Sequence, residues 1–172
     1  MSRIKMWGLA IVAGWLMSAG VGWSADAPMT ATVLGKLHHA NQKEISMGRL
    51  AEKSARSRDV KDYGRTLVKD HAAADRKVIG LAKQEKIDLA ASTPAMNDAD
   101  MASLPVDADF DTKFAKAMLE DHEKDITEVS AARDATRDDK LRGLLDDLLP
   151  TLRVHRDIAK KLVESGSPHA SR

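Results

Sequence analysis

The segment "LVKDHAAADRKVIGLA", residues 67–82, decides the fold class and raises the main question about function. Leu67, Ala74, Val78 and Leu81 recur at the three- and four-residue spacing that places side chains on one face of a helix. His71 lies on the same face, about one turn beyond Leu67. A polar side chain on a buried face costs free energy unless it finds a partner. The segment therefore predicts an amphipathic helix with a buried polar site.

Four long segments have helical spacing and strong helix formers, and none shows the alternation of a β-strand. The predicted helices cover residues 30–57, 59–86, 107–135 and 138–165, approximately. Asp59 is a predicted N-cap of the second helix, and Pro150 is predicted to kink the fourth.

The connections between these helices predict how they pack. Only a few residues separate the first helix from the second, and the third from the fourth, so each pair is expected to form an antiparallel hairpin. Between the pairs lies a long connection with Pro94 and Pro105, which has room for one short helix near residues 99–104. Two hairpins joined by a long connection predict an all-α four-helix bundle, and they fit a ferritin-like arrangement at least as well as a simple up-and-down one.

The N-terminus has the order of a secretory signal peptide. Arg3 and Lys5 precede an uncharged apolar stretch, residues 7–23, and the small residues Ser24 and Ala25 follow it. The apolar stretch is short and glycine-rich for a membrane span, so we predict a signal peptide at 1–27 and a helical domain at 28–172. No transmembrane span is expected after cleavage, and an uncleaved anchor is the alternative.

Composition narrows the classes of partner and site. The chain has 27 basic and 26 acidic residues, and removing residues 1–27 leaves equal numbers of each. A neutral domain with few aromatic residues lacks the charge and stacking surfaces of a nucleic-acid binder, so no nucleic-acid partner is expected. The chain has no cysteine, which excludes disulfides, thiolate metal sites and a lipid-attachment cysteine. A homo-oligomer or an envelope protein partner stays open.

Each predicted helix carries a polar residue on its apolar face near mid-length. Glu44 and His71 each lie roughly 20 Å from the first hairpin turn, and His122 and His155 lie roughly 22 and 27 Å from the second. Residues on different helices can share a ligand only at one level of the bundle. We therefore predict a transition-metal site for Zn, Fe, Cu or Mn with Glu44, His71, His122 and His155 as ligands.

Three carboxylates near the same level are predicted as alternative ligands or as partners of the ligands: Asp75, Asp121 and Asp125. The competing interpretation is a buried polar network that fixes the register of the helices and holds no metal.

Three blocks of sequence resemble a known family. They are "LHHANQKEISMGRLAEKSARSRDVKDYGRTLVKDHAAAD", "AMLEDHEKDI" and "LLPTLRVHRDIAKKL". They are similar to the exported bacterial family called domain of unknown function 4142, often labelled an outer membrane protein. The resemblance implies a ferritin-like fold and a periplasmic location, with peripheral association with the outer membrane as an alternative, and it implies no activity. The matching positions are Asn41, Glu44, Asp70, His71, Asp121, His122, Pro150 and His155.

The same positions argue against a di-iron oxidase. Such sites use Glu-x-x-His on two helices, whereas Val68, Leu119 and Leu152 stand three residues before the inward histidines. No catalytic triad or phosphate-binding loop is present in the sequence either. We predict a periplasmic metal-binding bundle that serves envelope stress or metal tolerance. A structural or partner-binding bundle and a redox enzyme with an atypical site are the alternatives.

Overall fold

The computed structural model describes residues 27–92 and 104–166, and within these ranges the chain forms helices and no strand. This confirms the all-α prediction. The helices are α1 (Ala27–Ser54), α2 (Arg58–Gln84), α3 (Leu89–Ser92), α4 (Phe110–Ala135) and α5 (Asp139–Gly166). The predicted signal peptide lies outside the described residues, apart from Ala27, and so does the predicted short helix near residues 99–104, apart from Leu104.

Side-chain hydrogen bonds from the turn itself and from α4 stabilise the connection between α1 and α2. Ser57 is the N-cap of α2, and its side-chain oxygen accepts a hydrogen bond of 3.2 Å from the Asp59 amide. The prediction of Asp59 as the cap was therefore wrong, because the chain reaches helical geometry one residue earlier, at Arg58. The Asp111 carboxylate of α4 accepts hydrogen bonds from the amides of Arg56 and Ser57 at 3.0 and 2.6 Å. The first hairpin is thus attached to the second at this end.

The end of α2 has the hydrogen bonds of a Schellman motif. The Ile87 amide donates to the Ala82 carbonyl at 2.8 Å, and the Lys86 amide donates to the Lys83 carbonyl at 3.3 Å. Lys86 takes the left-handed conformation that this motif requires, with φ of 56°. Ile87 then packs against the apolar residues at this end of the bundle.

Two apolar clusters show the direction of each helix. The first contains residues from the start of α1, the end of α2, the end of α4 and the start of α5: Leu34, Val78, Leu81, Val129, Leu141 and Leu145. The second contains residues from the opposite ends of the same helices: Met47, Tyr63, Leu67, Phe110, Phe114 and Ala159. The chain leaves α2 at one end of the bundle and enters α4 at the other. The helices therefore run up, down, down and up, which is the ferritin-type order.

Two glycines set the distance between α1 and α2. A Cβ atom added to Gly48 would lie 2.6 Å from the Gly64 carbonyl oxygen, and one added to Gly64 would lie 2.6 Å from the Gly48 carbonyl oxygen. Only residues without side chains allow the two backbones to approach this closely. Helix α5 continues through Pro150 as one element. Within residues 27–92 and 104–166, no helix combines the length and the apolar character needed to cross a bilayer.

Candidate metal centre

A layer of buried polar side chains separates the two apolar clusters. His122 and His155 are 0% exposed, Glu44 is 1% exposed, His71 is 4% exposed and Asn41 is 5% exposed. They come from the middle of α1, α2, α4 and α5. Every long helix therefore contributes a side chain to the layer, as the spacing of the sequence predicts.

His71, His122 and His155 form one compact group, which we call the histidine triad. The ring centroids of His71 and His155 are 5.2 Å apart, as are those of His122 and His155, and those of His71 and His122 are 5.8 Å apart. One side-chain nitrogen from each residue lies within 4.8 Å of the other two. A tetrahedral ion with bonds of 2.0–2.1 Å holds its nitrogen ligands about 3.3 Å apart. The side chains would have to bring their nitrogens closer for one ion to bind all three.

Each histidine of the triad has one nitrogen held by an oxygen. The His71 Nδ1–H donates to Asn41 Oδ1 at 2.9 Å, and the His122 Nδ1–H donates to the Met118 carbonyl at 2.8 Å. The His155 Nε2–H donates to Asp70 Oδ2 at 3.1 Å. In a neutral ring the nitrogen that carries no proton keeps its lone pair, so these bonds select the tautomers.

The other nitrogens have no hydrogen-bond partner. His71 Nε2, His122 Nε2 and His155 Nδ1 are all buried from solvent and unpaired. A metal-binding histidine commonly donates its second N–H to a carboxylate, an amide or a backbone carbonyl, and the triad shows this arrangement three times. Three lone pairs without donors are costly in a buried layer. A bound cation would remove that cost for all three.

The triad is neutral at neutral pH. Burial lowers the pKa of His71 well below its ordinary value, and repulsion from protonated His155 and His122 lowers it further. Burial lowers the pKa of His122 to about 4, against the opposing effect of its hydrogen bond to Met118. Burial also lowers the pKa of His155. Neutral imidazole is the form that binds a metal, so burial keeps the three rings in the protonation state that a metal site requires.

Glu44 is buried in the same layer but is not part of the triad. Its Oε2 is buried without a hydrogen-bond partner. Burial raises the pKa of Glu44 to about 8, and repulsion from Asp121 and Asp125 adds to the effect. The structure thus places Glu44 at the predicted level of the bundle, and its role as a ligand stays a prediction.

The three alternative carboxylates have other partners or positions. Asp75 accepts hydrogen bonds from His38 Nδ1 and Gln42 Nε2, both at 2.7 Å. Asp121 pairs with Lys43 Nζ at 2.8 Å. Asp125 lines a cavity beside the triad, and burial followed by repulsion from Asp121 raises its pKa to about 6. None of these carboxylates belongs to the group of possible ligand atoms formed by the triad.

Spacing on the helices does not reveal the oxygens that orient the triad. Asn41 and Asp70 match the family pattern, but their contacts with His71 and His155 depend on how the helices pack. Asp70 precedes His71 in α2 and still contacts α5, because successive residues of a helix point about 100° apart. The Met118 oxygen is a backbone atom, for which the side-chain pattern carries no signal.

Comparison with known proteins shows the family of the chain. The sequence profile of the family described as domain of unknown function (DUF4142) matches residues 21–162. The chain belongs to this family. A search of curated proteins and a search of solved structures each found no match. The match includes Glu44 and all three histidines of the triad, so the polar layer of this DUF4142 protein lies within the family domain.

We expect the wild-type DUF4142 protein to lose stability as the pH rises, and we expect a Glu44→Gln variant to lack this loss. Since the pKa of Glu44 rises from 4.5 to about 8 on folding, the folded state holds the proton more tightly, and stability falls as pH rises between these values. Glutamine has no charge to bury. Between pH 5.5 and pH 7, the free energy of unfolding of the variant should increase by on the order of 2 kcal/mol relative to that of the wild-type protein.

The measurement is urea unfolding of both proteins in chelator at several pH values. The histidines titrate in both proteins, so the difference isolates Glu44. Parallel pH profiles for the two proteins would show that Glu44 ionises in the folded state as it does in water.

Proposed function

We propose that this DUF4142 protein binds one transition-metal ion through His71, His122 and His155. The observation that carries the proposal is the group of three buried, unpaired ring nitrogens whose partner nitrogens are tied to oxygens. Helix register alone would be set equally well by a polar layer whose groups pair with each other. Here each histidine keeps an unpaired ring nitrogen instead, and one side-chain nitrogen from each of the three residues lies within 4.8 Å of the other two.

The type of ligand atom limits which metal ions the triad could bind. Imidazole nitrogen suits Zn²⁺, Cu²⁺ and Fe²⁺, and three such ligands leave at least one coordination position for another group. The neutral triad adds no negative charge, so a bound divalent ion keeps its positive charge in a buried layer. Glu44 is a buried acidic group at this level that can compensate part of it.

We place this function outside the cytoplasm, in the periplasm, on the order of residues in the predicted signal peptide. A bundle that binds a transition metal there would lower the concentration of free metal in the envelope. This supports a role in metal tolerance or envelope stress.

The direct test is metal content. The protein is expressed for export without a histidine tag, and elemental analysis is carried out on wild type and on a His71→Ala, His155→Ala double variant. We expect about one metal ion per wild-type chain after incubation with Zn²⁺, Cu²⁺, Mn²⁺ or Fe²⁺, and almost none in the double variant. A wild-type protein that takes up none of the four metals would contradict the proposal and favour a bundle whose polar layer only sets register.

A second test addresses the orienting carboxylate. We expect Asp70→Ala to weaken metal binding by about 10- to 100-fold, because the His155 ring loses the acceptor that fixes its tautomer and orientation. Competition with a coloured chelator measures the affinity. Asp75→Ala is the matched control, since Asp75 contacts His38 and Gln42 and no histidine of the triad. Equal losses in both variants would show that the effect is not specific to His155.

A further inference from the structure

A cavity of about 430 Å³ lies directly beside the triad. Its volume falls in the range of about 300–1,000 Å³ that is typical of small-molecule sites. All four long helices contribute to its walls, which are largely apolar. The apolar residues that matter for the argument are Leu37, Ala74, Val129, Ala132, Leu148 and Leu152.

The inner end of the cavity is polar and touches the proposed metal site. His71 and His155 line the cavity as well as belonging to the triad. Asn41 lines it too, and it is 5% exposed. The Asn41 oxygen accepts the bond from His71, whereas its Nδ2 group is buried with no acceptor. Asn41, which carries this unpaired donor, therefore lies in the same wall as two of the proposed metal ligands.

We propose that this cavity binds a carboxylate with an apolar chain. One carboxylate oxygen occupies the open position of the metal held by the triad, and the other accepts a hydrogen bond from Asn41 Nδ2. The chain lies among the apolar residues of the walls. This inference rests on the proposed metal site and adds the class of molecule that the site takes.

The bound metal is what favours an anionic head group, because the cavity wall itself carries the carboxyl groups of Asp70, Asp125 and Glu128 and, against them, Lys36. Three neutral imidazoles contribute no negative charge, so a bound carboxylate would offset the part of the ion's positive charge that Glu44 does not compensate. The Asp70 carboxylate accepts the hydrogen bond from His155. Glu128 is exposed, and its Oε1 lies 3.8 Å from Lys124 Nζ. Lys36 adds a positive charge to the wall.

The test uses the complete protein loaded with Co²⁺, whose visible spectrum reports its ligands. Acetate, butanoate and octanoate are titrated in turn, with octylamine as the cationic comparison. We expect the spectrum to change with each carboxylate, and the affinity to rise about fourfold for each methylene group that the cavity covers, equivalent to ~0.8 kcal/mol. Octylamine should leave the spectrum unchanged.

Two variants separate the head of the ligand from its chain. Asn41→Asp keeps an oxygen for His71, removes the free donor and places a negative charge beside the head group, so we expect Co²⁺ to remain bound and every carboxylate to bind at least about tenfold more weakly. Ala132→Phe fills part of the apolar wall and should weaken octanoate while leaving acetate unchanged. Ala135→Phe, which adds the same ring to α4 at an exposed position outside the cavity wall, is its control.

The outcomes distinguish this inference from the proposed function. Failure of Co²⁺ to bind would overturn both. Bound Co²⁺ whose spectrum ignores carboxylates, equal affinity for acetate and octanoate, or a response to octylamine would each overturn the carboxylate site and leave the metal site standing. Octanoate binding by equilibrium dialysis that is the same with and without Co²⁺ would likewise exclude a metal-bound head group.

Discussion

Zinc at a free concentration 1,000 times its Kd should raise the free energy of unfolding of the wild-type protein by about 4 kcal/mol. The His71→Ala, His155→Ala double variant should show no such increase. The physical reason is that the proposed ligands come from three different helices, so only the folded state holds their nitrogens within 4.8 Å of one another. Binding to the folded state alone is converted directly into stability.

Urea unfolding in zinc buffers and in chelator measures this increase. A His38→Ala, His39→Ala variant serves as the matched control, because it also removes two histidines and leaves the triad intact. The control should lose some stability with the His38–Asp75 hydrogen bond and still gain the full increase from zinc. An equal gain in the triad variant would place zinc binding elsewhere in the chain.

Gly48→Ala should destabilise the protein by about 3 kcal/mol, even though alanine is the better helix former. The new Cβ would lie 2.6 Å from the Gly64 oxygen and 2.9 Å from Val68 Cγ2, and the first of these atoms is backbone. The α1 and α2 backbones would have to move apart. Since His71 on α2 and Asn41 on α1 share a hydrogen bond, the same movement should weaken metal binding.

Two other glycines provide the control for this prediction. Nothing lies within 4 Å of a Cβ added to Gly80 or Gly143. Alanine at either position should stabilise the protein by up to about 1 kcal/mol through helix propensity. Thermal or urea unfolding of the three single variants tests the contrast. A Gly48→Ala protein as stable as wild type would show that the two helices can separate at little cost.

The sequence predicted the three histidines of the triad because a helix of 3.6 residues per turn converts spacing into direction. His71, His122 and His155 each lie among apolar neighbours, and counting residues from the hairpin turns brings them to one level. The same counting also selected Glu44, which the structure buries in the layer but leaves outside the triad. Whether the Glu44 carboxylate reaches the triad depends on rotation about its side-chain bonds, and a helical wheel gives no information on those rotations.

The partners of Asp75 and Asp121 show the same limit. Both residues are predicted from the sequence as alternative ligands or as partners of the ligands. In the structure each pairs with a side chain of α1, Asp75 with His38 and Asp121 with Lys43. Differences of a few ångströms decide which neighbouring side chain a carboxylate contacts. The spacing of residues along a helix does not predict positions that accurately.

By itself the sequence determined the four long helices, their pairing into two hairpins, and the three buried histidines, because these follow from local propensity, apolar spacing and short loops. Only the tertiary structure decided that α4 runs parallel to α2, which nitrogen of each histidine stays free, and that a cavity opens beside them. These depend on how helices distant in sequence pack, and the long connection between α2 and α4 allows either direction.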